Sequence, residues 1–113
     1  IALGVAWLGW PTRVIAVRVA PRFVANRWRT TRLARAAARL LEAPDLGFRI
    51  DVVDGLGAGY GHPSPAGERA GRIAAEHGLR LDPTYGAKAF AVLLQLATGN
   101  VQHVIFWHTF AWP

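Results

Sequence analysis

The chain has no cysteine, which removes any disulfide framework and any thiolate metal site. It has a single lysine, Lys88, so its net charge of +6 rests almost wholly on arginine. Long apolar runs are missing as well. The two longest, residues 1–10 and 89–97, fall short of the roughly 20 residues a bilayer crossing needs, and Gln95 interrupts the second. No membrane span is expected, and a cytoplasmic location fits the absence of cysteine. The chain opens on Ile1 with no initiator methionine and no charged n-region, so no signal peptide is visible and the expectation is a fragment. No internal repeat or low-complexity linker is present. A length of 113 residues, 52% of them apolar, suffices for one domain-sized core and not for several domains.

Several familiar site patterns are also missing. Gly55, Gly57, Gly59 and Gly61 alternate strictly instead of following G-x-G-x-x-G, and the next helix starts only after Pro63 and Ser64, so a dinucleotide fingerprint is not met. His62, His77, His103 and His108 show no i, i+4 pairing and no carboxylate pattern, so no metal site is expected. No G-x-S-x-G nucleophile motif occurs.

What is present is an alternation of helices and strands. Residues 1–8 read as a helix stopped near Gly9 and Pro11. Residues 13–19 are β-branched and short, a strand between Pro11 and Pro21. Asn26 can cap a helix running to about Ala43, where Pro44 ends it. On that helix Trp28, Leu33, Ala36, Ala37, Leu40 and Leu41 space as one apolar face, leaving Arg27, Arg29, Arg32, Arg35 and Arg39 a solvated face. Residues 48–53 form a second strand, followed by the glycine-dense loop 55–61. Ser64-Pro65 starts a helix that Gly78 should end. Asp82-Pro83-Thr84 opens another, apolar on nearly all sides and therefore buried. The continuous apolar run 104–107 fits a strand covered on both faces. The expected class is α/β, a mostly parallel sheet flanked by helices, with strands 13–19, 48–53 and 104–107 all parallel in one sheet.

Three segments carry a resemblance. Gly59-Tyr60-Gly61-His62-Pro63, then Leu79-Arg80-Leu81-Asp82-Pro83-Thr84-Tyr85, then His108-Thr109, in this order and spacing, resemble the C-terminal part of the 1-aminocyclopropane-1-carboxylate (ACC) deaminase / D-cysteine desulfhydrase family. The resemblance covers essentially the whole chain, most specifically from Gly55 to Thr109. It implies residues 1–113 of the C-terminal part of a catalytic domain with the tryptophan synthase β-like fold type II, an enzyme using pyridoxal 5'-phosphate. It further implies a small amino-acid substrate eliminated or deaminated to a 2-oxo acid and ammonia, and a homodimeric parent.

By the same resemblance Tyr85 is the active-site phenol next to the cofactor, Tyr60 lies beside the substrate, and Thr109 meets the pyridine nitrogen of the cofactor. These three side chains are expected at one concave site. Lys88 is structural, because the cofactor-bearing lysine and the phosphate loop would precede Ile1; the fragment alone is therefore expected to be inactive. Deaminases proper carry a glutamate directly after the active-site tyrosine, where this chain has Gly86. The resemblance is thus closer to the desulfhydrases than to ACC deaminase, although Phe110 stands where many members have glycine. Two readings without this chemistry stay open on the residues themselves. One is a non-catalytic α/β binding domain, which an upstream reading frame with a lysine and phosphate loop would eliminate. The other is an arginine-rich nucleic-acid binder, whose affinity would fall steeply with salt.

Overall fold

The computed structural model describes residues 1–99 and 103–109. Its elements are α1 (Ala2–Trp7), β1 (Val14–Arg18), α2 (Arg27–Leu40), β2 (Ile50–Asp54), α3 (Pro65–Glu76) and α4 (Gly86–Ala97). They fall into two compact units, Ile1–Val53 and Asp54–Pro113.

In the first unit β1 and β2 pair in parallel as a two-stranded sheet. The Val14 N–H donates to the Arg49 carbonyl at 2.9 Å. A parallel pair needs a crossover of a dozen or more residues, and α2 supplies it. Asn26 caps α2 as its sequence suggests, its side-chain oxygen accepting the Arg29 N–H at 3.0 Å. The helix ends at Leu40, earlier than Pro44 requires, because Glu42 turns left-handed at φ 51. That turn lets the Glu42 and Ala43 N–H groups reach the carbonyls of Arg39 and Ala38. α1 and α3 close the same way with glycine at the turn, Gly9 and Gly78. Glycine adopts this conformation without the cost of about 1–2 kcal/mol borne by a residue with a Cβ.

The helix α2 corrects one expectation. Its arginines are exposed, but so are Trp28, Leu33, Leu40 and Leu41, while the residue it buries is Ala38. The inward side is made of small residues, Thr30, Thr31, Ala34, Ala37 and Ala38. Spacing alone marks the large apolar residues as one stripe without saying which side has a neighbour. Trp28 instead takes the Arg32 guanidinium over its ring, 5.4 Å from the centroid.

In the second unit α3 and α4 pack through small residues. Gly67, Ala70 and Ala74 of α3 are buried, as are Ala87, Lys88 and Ala91 of α4. At Gly67 a Cβ would stand 3.0 Å from the Ser64 hydroxyl oxygen and 3.6 Å from the Lys88 amide nitrogen. Bare backbone at this position lets the helices approach. Ser64 caps α3 as read from sequence, accepting the Gly67 N–H at 3.1 Å.

Two further expectations change here. α4 is buried on one side only, with Leu93, Leu94 and Leu96 half-buried. The run 104–107 is not a strand. No regular element covers 103–109, and the sheet of the described residues holds β1 and β2 alone. Val104, Ile105 and Trp107 are exposed, whereas Phe106 and His108 are half-buried. That alternation belongs to a segment packed on one side. Phe106 meets Phe90 of α4 edge-on, ring centroids 5.2 Å apart, and His108 stacks on Phe106. A covered strand requires neighbours for its backbone groups, and the described residues offer none.

Candidate functional site

The residues that converge lie in the second unit, where the glycine loop meets the start of α4. The loop leaves β2 through Asp54, whose carboxylate oxygen accepts the Leu56 N–H at 3.0 Å. Gly57, Gly59 and Gly61 all have positive φ, 61, 147 and 76, conformations that explain why glycine recurs here. Tyr60 sits between the last two. The His62 Nδ1–H donates to the Tyr60 carbonyl at 3.0 Å.

The start of α4 is built on Asp82, a buried carboxylate. Its Oδ1 accepts the N–H groups of Thr84 at 3.0 Å and Tyr85 at 2.7 Å, and its Oδ2 accepts that of Gly86 at 2.8 Å. A helix start leaves its first N–H groups without partners; Asp82 answers that of Gly86, the first residue of α4, and also holds the N–H groups of Thr84 and Tyr85 that lead into the helix. The cap also accounts for glycine at position 86. A Cβ there would lie 2.8 Å from Asp82 Oδ2, so a side chain at 86 requires this carboxylate to move.

Loop and helix bring Tyr60 and Tyr85 together. Their hydroxyls hydrogen-bond to each other, and their rings sit edge to face with centroids 6.1 Å apart at 70°. The bond to Tyr60 raises the pKa of the Tyr85 phenol above its usual 10.0; desolvation and the negative charge that Tyr60 and Asp82 can carry push the same way. Either hydroxyl can donate in this contact. The arrangement can hold one proton between two oxygens and present both to a ligand.

Lys88 is buried, and its Nζ donates to the carbonyls of Leu56 at 2.9 Å and Gly59 at 3.1 Å. Both bonds commit its amine to the backbone of the glycine loop. An amine committed in this way is a poor nucleophile. Mixing the chain with pyridoxal phosphate and reducing with borohydride is expected to leave Lys88 unmodified by peptide mass. A stoichiometric adduct on Lys88 would overturn the expectation that this lysine is structural.

Thr109 is exposed, near the end of the described residues, and no hydrogen bond joins it to either tyrosine. Of the three predicted site residues the structure therefore brings two into contact. Phe110 lies outside the described residues. Next to Thr109, the Nε2 of His108 is buried with no hydrogen-bond partner among the described residues. Sequence reasoning placed Asp82 at a helix start but did not see it as the anchor of Tyr85, although an aspartate three residues before the tyrosine is the signal. Nothing local to Lys88 announces that it reaches carbonyls 29 and 32 residues away. Among the described residues no cluster of three or more His, Asp or Glu could hold a metal, and no helix is long and apolar enough to cross a membrane.

No protein-family model matches the chain. It is 37% identical over 114 aligned positions to nocardicin C-9' epimerase of Nocardia uniformis subsp. tsuyamanensis, a match covering 96% of this chain and 35% of the epimerase. Its backbone superposes on the crystal structure of an ACC deaminase homologue with a TM-score of 0.70 at 26% identity, over 85% of this chain and 30% of that one. The chain thus spans about a third of the length of the proteins it matches, and its α/β architecture is that of the ACC deaminase fold.

Proposed function

We propose that the chain is the C-terminal part of a pyridoxal-phosphate-dependent enzyme of fold type II that removes the α-proton of a small amino acid. In this reading the substrate goes on to a 2-oxo acid and ammonia in the manner of a D-cysteine desulfhydrase, and the parent is a homodimer. The observation that carries it is the hydroxyl contact between Tyr60 and Tyr85, two phenols from separate motifs that meet in a chain superposing on an ACC deaminase homologue. The donor set fits the cofactor in part: Thr109 offers a neutral hydroxyl for the ring nitrogen and the tyrosines flank the substrate, while Lys88 does not serve as the carrier. Bound pyridoxal phosphate supplies an electron sink for the charge left at the α-carbon. With Gly86 in place of a glutamate, residue 86 contributes no carboxylate to fix a charge on that ring. The two phenols hold and pass one proton at the substrate.

The epimerase match favours a second outcome of the same first step, in which the proton returns to the opposite face of the same carbon. Intact parent incubated with D-cysteine in deuterium oxide separates the two. Pyruvate, sulfide and ammonia mark elimination, and α-deuterated L-cysteine recovered without 2-oxo acid marks epimerisation. In either case Tyr85→Phe is expected to keep the cofactor absorbance and lower kcat about 10²–10⁴-fold, the range of a positioned proton carrier. A parent that takes up no cofactor, or a Tyr85→Phe variant at full rate, would sink the proposal.

A further inference from the structure

Both phenols are largely open to solvent, Tyr60 at 58% and Tyr85 at 48% exposure, so side-chain packing does not hold their hydroxyls together. Their backbones must do so. Tyr85 is fixed by Asp82 through its own N–H. Tyr60 sits in a loop of glycines, the residues with most backbone freedom to lose, and two consecutive stretches of that loop are tied down by one side chain. The Lys88 ammonium takes the carbonyl of Leu56 at 2.9 Å and that of Gly59, the residue immediately before Tyr60, at 3.1 Å.

Lys88 and Tyr85 are three residues apart at the start of α4, hence neighbours on one helix face. The same turn of helix therefore grips the loop by the lysine and meets its tyrosine by the phenol. Lys88 is 2% exposed and takes part in no ion pair among the described residues. Burying an ammonium without a counter-ion is costly, and methionine would fill a similar volume with no charge to bury. What the charge achieves in this fold is to hold two carbonyls in place.

We infer that Lys88 is the positioning residue of the tyrosine pair, holding the glycine loop at the height where the Tyr60 hydroxyl meets that of Tyr85. The inference extends the functional reading above, since it names what sets the geometry of that site, but its test needs neither cofactor nor substrate. The chain contains only two tyrosines and one lysine, which gives each group its own signal.

In protein labelled with ¹³Cζ-tyrosine, the Tyr85 resonance is expected to titrate above the ordinary phenol range, and Tyr60→Phe to bring it back down. The other titratable groups beside the pair are Asp82, whose charge acts on Tyr85, His62, bonded to the Tyr60 carbonyl, and Lys88, bonded to that of Gly59, and only Lys88 is altered in the next variant. Lys88→Met is expected to lower the Tyr85 titration as far as Tyr60→Phe does, with far-UV circular dichroism unchanged, and the double variant to match Tyr60→Phe alone. A folded Lys88→Met protein whose Tyr85 titrates as in wild type overturns the inference.

Should Lys88→Met fail to fold, the single ¹⁵Nζ resonance of the wild-type chain decides. Ammonium protons exchanging more slowly than those of free lysine support the clamp, and exchange as fast as free lysine overturns it. Failure of this test would leave the cofactor reading standing. A normal result here beside a fully active Tyr85→Phe parent would sink the cofactor reading and leave the clamp.

Discussion

Asp82→Ala is expected to destabilise the chain by about 3 kcal/mol. Losing an N-cap side chain costs roughly 0.5–2 kcal/mol; Asp82 stands three residues before the N-cap of α4, Tyr85, but it is buried and accepts three N–H groups, those of Thr84, Tyr85 and Gly86. Hydrogen bonds to a charged group contribute about 1.5–3 kcal/mol each and do not add fully. Alanine leaves all three donors without this partner, those of Thr84 and Gly86 in half-buried residues. Asp82→Asn keeps one acceptor oxygen and is expected to lose about half as much. Urea unfolding checks this, with the midpoint falling in that order and the slope unchanged. A midpoint for Asp82→Ala equal to wild type would show that the cap does not carry the start of α4, and the account of Tyr85 would fall with it.

Gly67→Val is expected to cost a similar amount through a different cause. A Cβ at this position already stands 3.0 Å from the Ser64 oxygen, 3.5 Å from Lys88 Cγ and 3.6 Å from the Lys88 backbone nitrogen. Valine adds two methyl groups beyond that point. Backbone cannot rotate aside, so α3 and α4 must separate, and overpacking of this kind costs about 1–3 kcal/mol. Gly71 is the internal control, one turn further along the same helix. Its Cβ would meet only the Ala87 Cβ at 3.9 Å, an ordinary contact, and Gly71→Ala is expected to be neutral or to stabilise by up to about 1 kcal/mol through helix propensity. Thermal melts of the two variants test the pair. Equal melting temperatures would mean that the α3–α4 approach is not set by Gly67.

Where local chemistry decides an element, the sequence was sufficient. Asn26 and Ser64 each cap the helix that follows, Gly9 and Gly78 each stand at a helix end, and Asp82 opens α4. These are interactions within a few residues of chain. The resemblance to the ACC deaminase family likewise rested on short motifs, and the superposition on an ACC deaminase homologue bears out the α/β fold. The helix after Asn26 stops at Leu40, short of Ala43: Pro44 is visible in the sequence, while the left-handed turn at Glu42 is not.

The elements misread were those whose burial depends on a neighbour. An apolar run such as 104–107 looks the same whether strands flank it or it lies along one helix, and only Phe106 on Phe90 shows which. The same holds for α2, where the apolar spacing was correct and the small residues, not Trp28 or Leu33, turned inward. At the site, the motifs put Tyr60 and Tyr85 on the page as separate residues, and composition singled out Lys88. That the two hydroxyls touch, and that Lys88 reaches across the chain to hold the loop carrying one of them, is a matter of contacts 25 to 32 residues apart. Local patterning fixes backbone conformation over a turn or two, whereas which side chains meet is fixed only once the packing of α3 on α4 has set the distance between the segments that bear them.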